Sequence, residues 1–300
     1  MADLDRLLER TSRTFALSIP LLPEPTRREV GIAYLLFRIA DTFEDATLWE
    51  PSRRIAALGE FAALLGAGGS GDAAAARRWT ERPPCAQDGY LELLRESPSV
   101  LADFRALSPA AAGTIRAHVI ASAEGMAGFV RRMSDAGELR LSDLADLRAY
   151  CHVVAGIVGE MLTDLFLLGR DALAGIAPFL RERAARFGEA LQLVNILKDA
   201  GSDRSDGRTY VPENASRDEV FLLARSDLGE ASEYVLALQR AGAPHGLVGF
   251  TALPVELAWA TLERVEKRGP GAKVPRTEVY RIVSRMKRDI ERGRPAVRKR

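Results

Sequence analysis

Apolar residues recur every three or four positions along most of this chain, which is the spacing of one buried helix face. Val30, Ala33, Phe37 and Ala40 follow it, and residues 141–147 repeat it with three leucines. The alternation typical of strands is almost absent, and the abundant Ala, Leu, Arg and Glu favour helices. We therefore predict an all-α helical bundle. The predicted helices cover about 27–45, 52–65, 88–96, 109–134, 142–168, 178–203, 217–241, 245–268 and 276–292.

A glycine-rich segment, residues 66–71, matches the Gly-x-Gly-x-x-Gly spacing of dinucleotide-binding loops. That motif binds a dinucleotide only between a strand and a helix, and here it follows the helical run Phe61–Leu65. We interpret the segment as a loop. No shift in composition marks a domain boundary, so the sequence predicts a single domain over residues 1–300, in which 292–300 form a flexible basic tail.

Composition narrows the functional classes. Hydrophobic side chains make up 47% of the 300 residues, and a net charge of +1 gives no overall field for binding nucleic acid. The basic tail is interpreted as a solvated end, with weak attraction to an anionic membrane as the alternative. Cys85 and Cys151 lack metal-binding spacing and need no disulfide, which fits a reducing compartment. Without a signal peptide or a long uninterrupted apolar stretch, the protein is expected to be cytoplasmic, at most peripheral to the inner membrane.

The segment around Asp199 combines acids and bases. Asn195, Asp199 and Asp203 follow one another at intervals of four residues and therefore share one helix face. Two carboxylates about 6 Å apart repel by roughly 3 kcal/mol at an effective dielectric of about 20, so a cation would stabilise this face. Mg²⁺ is suitable, since it binds carboxylates and completes its shell with water and phosphate. Lys198 and Arg208 add donors for phosphate, which indicates a diphosphate substrate. A solvated helix end is the alternative.

A second acidic pair lies near the N-terminus. Asp41 and Asp45 are again four residues apart with Glu44 between them, and Arg38 and Tyr34 precede them on the same face. Two such pairs, each beside a base on an apolar helix, favour two walls of one metal-dependent cavity over two solvated acidic faces.

An apolar helix with little charge lies between the two acidic segments in the sequence. Tyr150, Val154 and Val158 form one stripe at helical spacing, and Gly156 and Gly159 allow another helix or a ligand to come close. The stripe is either plain core or the wall of a pocket. Such a pocket, with metal at its mouth, would suit a long hydrocarbon that carries a diphosphate.

These segments resemble the motifs of the squalene and phytoene synthases, which join two isoprenoid diphosphates head to head. Ser12–Phe15 resembles the N-terminal Ser-Arg-Ser-Phe element of this family, and Tyr34–Asp45 resembles its first aspartate-rich helix. Tyr150–Gly159 resembles the central Tyr-Cys-x-x-Val-Ala-Gly-x-Val-Gly signature, and Asn195–Pro212 the second aspartate-rich segment. The resemblance covers nearly the whole chain and implies the all-α isoprenoid synthase fold, a single domain around a central cavity.

The resemblance also implies roles for individual residues. Five acids would bind Mg²⁺ ions that bridge to the diphosphates: Asp41, Glu44, Asp45, Asp199 and Asp203. Tyr150 is the candidate for guiding proton loss, and it completes the catalytic set with the four aspartates. The remaining expected substrate contacts are Arg13, Phe15, Tyr34, Arg38, Val154, Val158, Gln192, Asn195, Lys198, Arg208, Tyr210, Phe250 and Pro254.

Two later segments favour a squalene synthase within this family, and the whole chain most resembles the bacterial type. Phe250–Pro254 resembles the late Phe-x-x-(Ile/Leu)-Pro element of squalene synthases, and Ala272–Arg276 is similar to their basic segment associated with NADPH. Lys273 and Arg276 match that segment in charge, whereas Pro275 stands where a base is usual. The resemblance thus implies condensation of two farnesyl diphosphates to presqualene diphosphate, followed by hydride delivery from NADPH.

Other activities are also compatible with the sequence. A phytoene or dehydrosqualene synthase would use the same acids without hydride transfer, and a related enzyme could cyclise one prenyl diphosphate. Some relatives are assembly factors rather than catalysts, but such a protein would be expected to lose metal-binding aspartates, and all four are present. The expected partners are prenyl diphosphates, and the protein is expected to be a monomer or a weak dimer.

Overall fold

The computed structural model describes residues 3–12, 14–134, 137–205, 207–298 and 300 of this chain. Helices account for most of these residues, which confirms the all-α prediction. The chain divides into two compact units, one formed by Met1–Leu17 and Glu24–Leu139 and the other by Ser18–Pro23 and Arg140–Arg300. Cys85 and Cys151 are both free thiols.

The first unit is built around the helix that carries Asp41. The elements up to residue 131 are α1 (Leu4–Thr11), α2 (Phe15–Ser18), α3 (Thr26–Glu44), α4 (Pro51–Gly66), α5 (Asp72–Glu81), α6 (Asp88–Arg105) and α7 (Pro109–Arg131). A 3₁₀ turn (Ile19–Leu21) between α2 and α3 belongs to the second unit. Helix α3 packs against α1, α6 and α7. The predicted apolar positions Val30, Ala33 and Ala40 on α3 are buried, which confirms the periodicity.

The sequence pattern missed α1 and α5 and ended α6 too early. Helix α6 continues through Pro98, whose nitrogen has no hydrogen to donate to the carbonyl of Leu94. The hydroxyl of Ser97 donates to that carbonyl instead, at 2.8 Å. The carbonyl of Leu94 therefore keeps a hydrogen-bond donor, which helps the helix to continue past the proline.

The glycine-rich segment is a loop, as predicted. It follows α4 and precedes α5, and no strand precedes it among the described residues. Gly69 has a φ of 98°, a conformation that side-chain-bearing residues rarely adopt. Arg105 closes the loop by pairing with Asp72 at 2.6 Å.

The second unit contains the other acidic segment. Its elements are β1 (Leu139–Arg140), which leads into the unit, α8 (Leu144–Cys151), a π turn (His152–Gly156), α9 (Ile157–Leu167), a 3₁₀ turn (Asp171–Ile176), α10 (Ala177–Ser205), β2 (Arg208–Thr209), α11 (Arg217–Arg240), α12 (His245–Arg268) and α13 (Arg276–Glu291). Helix α10 is central and packs against α9, α11 and α12. The two short strands pair, and Leu141 donates its N–H to the carbonyl of Thr209 at 3.2 Å.

The stretch Leu144–Leu167 is long and apolar enough to cross a membrane by length and composition alone. Within an apolar stretch of 18 residues in this segment, 56% of the residues are buried inside the protein. The central helix of a bundle meets the same criteria, and α9 packs against α10 here.

The C-terminal segment differs from its prediction as a flexible tail. Ala296 and Val297 are buried. The buried carboxylate of Glu256 on α12 accepts a hydrogen bond from the backbone N–H of Arg298 at 2.8 Å, and it lies 3.6 Å from the guanidinium of Arg300. The many basic residues led us to predict a solvated segment. It is instead held in place because two apolar side chains are buried and because a buried carboxylate requires hydrogen-bond partners.

Candidate functional site

The first acidic segment lies at the C-terminal end of α3. Asp45 caps this helix and donates its N–H to the carbonyl of Asp41 at 2.8 Å, so the helical register that places both aspartates on one face is maintained. Asp41 is partly buried and Asp45 is exposed, whereas Glu44 is buried with 3% of its surface accessible. The pair Asp41 and Asp45 is therefore the part of this segment that a ligand can reach.

Arg38 is fixed beside this acidic pair. Its guanidinium lies 3.2 Å from the carboxylate of Asp41 and 5.6 Å from the ring centres of both Tyr34 and Tyr90. The hydroxyl of Tyr34 donates to the carbonyl of Thr11 at 2.9 Å, which ties α1 to this face of α3. Sequence reasoning found Tyr34 and Arg38 but missed Tyr90, because Tyr90 is on α6 and no helical spacing connects it to Arg38.

The electrostatics of Asp41 favour an additional cation. Burial raises the pKa of Asp41 to about 6, the nearby Arg38 lowers it, and the second carboxylate of Asp45 raises it further. A carboxyl group whose pKa is raised by burial and by a neighbouring acid is stabilised in its charged form by a positive ion.

The second acidic segment lies on one unbroken helix. Because α10 continues to Ser205, the predicted placement of Asn195, Asp199 and Asp203 on one face holds in the structure. The ammonium of Lys198 lies 3.0 Å from the Asp199 carboxylate and 3.4 Å from the side-chain oxygen of Asn195. Lys198 is thus adjacent to both Asn195 and Asp199.

The chain after α10 turns back and brings Arg208 and Tyr210 to the same helix end. Asp203, Arg208 and Tyr210 line a recess of about 20 Å³. The Tyr210 ring stacks on the ring of Tyr150 with 4.6 Å between their centres, and the Tyr150 hydroxyl donates to the Tyr210 hydroxyl at 3.0 Å. The structure therefore connects the predicted catalytic tyrosine to the acidic segment through Tyr210.

Both acidic pairs have the chemistry of a Mg²⁺ site but not a complete ligand set. Among the residues that the structure describes, no three His, Cys, Asp or Glu side chains are grouped as a protein-only metal site would group them. Mg²⁺ commonly binds through one or two carboxylates and takes its remaining ligands from water and substrate phosphate. The carboxylate pairs fit that mode of binding.

The basic segment before α13 lies beside the second acidic segment. Gly271 donates its N–H to the carbonyl of Lys198 at 2.7 Å, which anchors the start of the segment next to Asp199. Lys273 and Arg276 follow it and are exposed. Both side chains are therefore accessible to an anionic ligand.

The other predicted substrate contacts have varied environments. Phe15 packs on Tyr34 with 5.5 Å between ring centres, and Phe250 is fully buried against Phe166 at 5.9 Å. Gln192 is half-buried and Pro254 is buried. Arg13 lies outside the described residues.

The predicted stripe of Tyr150, Val154 and Val158 is not a single α-helical face. The π turn His152–Gly156 interrupts the 3.6-residue period between Tyr150 and the two valines. Tyr150 is buried, whereas Val154 and Val158 are half-buried. The interruption leaves the two valines partly accessible while Tyr150 turns toward Tyr210.

Glycines bring α10 close to the signature helix, which is the continuous helical stretch Leu144–Leu167 formed by α8, the π turn and α9. A Cβ atom at Gly159 would overlap the carbonyl oxygen of Ala184, and one at Gly188 would overlap the carbonyl oxygen of Ala155. The prediction that Gly159 allows another helix to come close is confirmed. Gly188 was not singled out from the sequence.

A buried ionic cluster fixes the signature helix to its neighbours. Arg148, two residues before Tyr150, pairs with Glu189 at 2.9 Å and with Asp227 at 3.0 Å, and Arg186 pairs with Asp227 at 3.1 Å. Burial raises the pKa of Glu189, and Arg148 and Arg186 oppose that shift. Sequence reasoning missed this cluster because its members come from three different helices. Only Arg186 and Glu189 share a helix, α10, and all other pairs are separated by at least 38 residues.

The sequence matches known proteins over most of its length. A model of the squalene/phytoene synthase family matches residues 8–220. The squalene synthase of Eremothecium gossypii is 32% identical over 213 residues, covering 69% of this chain and 45% of that protein. The squalene synthase of Mycosarcoma maydis is 28% identical over 298 residues, covering 88% of this chain and 50% of that protein. The chain spans about half the length of the curated relatives it matches.

Solved structures show the same fold. TcSQS in complex with the ligand BPH1237 has a TM-score of 0.72 at 23% identity, covering 95% of this chain and 85% of that chain. A dehydrosqualene synthase in complex with a ligand has a TM-score of 0.62 at 21% identity, covering 96% and 95%. The fold is therefore the all-α isoprenoid synthase fold, as the sequence motifs implied.

Proposed function

Since the chain belongs to the squalene/phytoene synthase family, we propose that it is a Mg²⁺-dependent squalene synthase. It condenses two farnesyl diphosphates head to head to presqualene diphosphate and reduces this intermediate with NADPH to squalene. The observation that carries the proposal is the contact between Tyr150 and Tyr210, which joins the signature helix to the recess at the end of α10 that Asp203 and Arg208 line.

Four aspartates are assigned to the metal ions, Asp41 and Asp45 in one unit and Asp199 and Asp203 in the other. Glu44, which the sequence also suggested as a ligand, is buried and is not assigned to the metal. Mg²⁺ supplies positive charge that neutralises the departing diphosphate. Arg38, Lys198 and Arg208, together with Arg13, add N–H donors to the diphosphate oxygens as the bond between C1 and oxygen breaks, which lowers the energy of the charged transition state. Asn195 and Gln192 orient the same group.

Apolar and aromatic side chains protect the allylic cation that results. Val154, Val158, Phe250 and Pro254 in the second unit are assigned to exclude water that would trap the cation as an alcohol. Phe15 and Tyr34 are assigned to substrate contact in the first unit. The double bond of the second farnesyl group then attacks, and loss of one proton closes the cyclopropane ring. The Tyr150 hydroxyl, oriented by Tyr210, guides that proton toward the departed diphosphate.

Tyr150→Phe is expected to slow formation of presqualene diphosphate by roughly 10²-fold, because a positioned proton-transfer group contributes about 10²–10⁴-fold. The stacking of ring 150 on Tyr210 is retained, so helicity should not change. Single-turnover assays without NADPH measure this step.

Tyr210→Phe is the matched control, since it removes the same hydrogen bond but leaves the Tyr150 hydroxyl in place. A smaller effect of Tyr210→Phe supports catalysis by Tyr150 itself. Equal rates for wild type and Tyr150→Phe would remove Tyr150 from the mechanism.

The second half of the reaction depends on the segment anchored by Gly271. NADPH supplies the hydride for the reduction. Lys273 and Arg276 bind its phosphate groups beside Lys198, at the same helix end as Asp199. Pro275 lies between these two bases, so binding rests on two cations rather than on an uninterrupted basic run.

Lys273→Ala combined with Arg276→Ala is expected to raise the NADPH concentration at half-maximal squalene formation by about tenfold or more, because hydrogen bonds to charged groups are worth about 1.5–3 kcal/mol. The rate of presqualene diphosphate formation should not change. Lys287→Ala, an exposed base on α13, serves as the control. An unchanged NADPH dependence in the double variant would place the cofactor elsewhere.

Incubation of the purified protein with Mg²⁺ and farnesyl or geranylgeranyl diphosphate, with and without NADPH, tests the function directly by product mass. Squalene formed only with NADPH is the expected result. Dehydrosqualene or phytoene formed regardless of NADPH would establish the alternative synthase, for which the departure at Pro275 is the specific observation. Absence of any condensed product would leave the non-catalytic assembly-factor role.

A further inference from the structure

A cavity in the second unit lies at the opposite end of α12 from the acidic segment. Its volume is about 930 Å³, within the range of roughly 300–1,000 Å³ typical of small-molecule sites. His245, the first residue of α12, lines this cavity, whereas Gly271, just beyond the other end of α12, contacts Lys198. A helix of 24 residues is about 36 Å long, so the cavity is separate from the acidic segment on α10.

The floor of this cavity is aliphatic. Five buried side chains form it: Leu236, Ala243, Val248, Ile290 and Val297. None of the described lining residues is Phe, Tyr or Trp. An aliphatic or prenyl chain matches this floor.

The rim of the cavity is positively charged. Arg240, Arg294 and Arg298 line it, and Asp289 is the only acid among the described lining residues. Arg240 lies 3.5 Å from Glu233 in an exposed pair that contributes little, which leaves its charge available. The rim therefore attracts an anion.

The wall of the cavity is held in place before any ligand binds. Gln239 on α11 donates its amide N–H to the carbonyl of Arg294 at 2.6 Å and accepts the N–H of Ala296 at 2.9 Å. The N–H of Arg294 bonds to the carbonyl of Asp289 at 2.8 Å. A preformed wall reduces the ordering cost of binding.

We propose that this cavity binds a single-chain anionic amphiphile, with its phosphate or carboxylate head at Arg294 and Arg298 and its hydrocarbon chain over the Val248 and Ile290 floor. The site does not depend on the proposed squalene synthase reaction. A free prenyl or acyl phosphate and a phospholipid in a membrane share this chemistry. The free amphiphile is the proposed occupant because the volume of the cavity lies within the range of small-molecule sites.

Calorimetric titration of the full chain with dodecyl phosphate below its micelle concentration, in EDTA to exclude Mg²⁺-dependent binding, tests the site. Saturable binding is expected. Arg294→Gln combined with Arg298→Gln should weaken it by about tenfold or more. Dodecanol and inorganic phosphate, which each lack one half of the ligand, should bind at least about tenfold more weakly.

Two controls separate this site from general charge and from the diphosphate site. Arg281→Gln combined with Arg288→Gln removes the same charge from exposed positions of α13 outside the cavity and should bind as the wild type does. Arg208→Gln should also leave this binding unchanged. Gln239→Ala, which releases the wall but keeps the rim charges, should weaken binding.

Any of three results would overturn the proposal: equal affinity of the wild type and the Arg294 and Arg298 double variant, equal affinity for dodecanol and dodecyl phosphate, or loss of binding in Arg208→Gln. Binding only to vesicles containing phosphatidylglycerol, and not to monomeric dodecyl phosphate, would replace the cavity ligand by a membrane surface.

Discussion

Asp199→Asn is expected to lower turnover by roughly 10²-fold or more without unfolding the protein. The substitution keeps the size of the side chain but removes the charge that would hold Mg²⁺. Metal-held charge stabilisation is worth several kcal/mol, and each ~1.4 kcal/mol corresponds to a factor of ten in rate. The fold should tolerate the change, because the ion pair of Asp199 with Lys198 is 44% exposed on the Asp199 side and such pairs contribute about 0–1 kcal/mol.

The measurement is product formation from farnesyl diphosphate over a range of Mg²⁺ concentrations, together with the helical circular dichroism signal. Asp41→Asn in the first unit should give the same loss. Glu182→Gln, on α10 with a side chain 73% exposed and away from the acidic segment, should behave as the wild type does. Turnover within tenfold of the wild type in Asp199→Asn and in Asp41→Asn would refute the metal assignment.

Gly188→Ala is expected to destabilise the protein more than any surface substitution. A Cβ atom at Gly188 would lie far inside the 3.0 Å limit of real Cβ contacts, against the backbone oxygen of Ala155 in the π turn. Backbone cannot rotate away as a side-chain end can, so α10 and the signature helix must separate. We expect a loss of about 3 kcal/mol or more, which lowers the unfolding midpoint of a 300-residue chain by about 5 °C or more.

Gly201→Ala is the matched control because it makes the same substitution on the same helix where a Cβ would meet nothing within 4 Å. Alanine favours a helix interior over glycine by about 0.5–1 kcal/mol, so this variant should be equally or more stable. Calorimetric unfolding decides between the two. Midpoints for Gly188→Ala and wild type within about 2 °C of each other would show that the two helices are not held at this distance in solution.

The same contact places Tyr150. The signature helix carries Tyr150 at its N-terminal part, and the Gly188 contact and the Arg148 cluster determine how that part lies on α10. Separation of the two helices would therefore also disturb the hydrogen bond between Tyr150 and Tyr210, so loss of stability and slower condensation should accompany each other in Gly188→Ala.

Local spacing determined much of the fold and the acidic pairs. The helical class, the limits of most long helices and the shared face of Asn195, Asp199 and Asp203 all depend on a repeat of 3.6 residues within one segment, so neighbouring residues suffice to predict them. One helix boundary was predicted wrongly because a neighbouring side chain replaced a hydrogen bond that proline cannot make. Helix α6 passes Pro98 because Ser97 supplies the missing hydrogen bond, which the spacing of apolar residues cannot indicate.

Tertiary structure decided how these predicted groups are connected. The contact of Tyr210 with Tyr150, the anchoring of the Lys273 segment by Gly271, the fit of Gly188 against Ala155 and the wall held by Gln239 each join residues far apart in sequence. Such contacts depend on the distance and rotation between packed helices rather than on the period of any one of them. By itself, the sequence of this protein determined which helix faces carry acids and bases, and helix packing determined which side chains support those faces and where a second cavity opens.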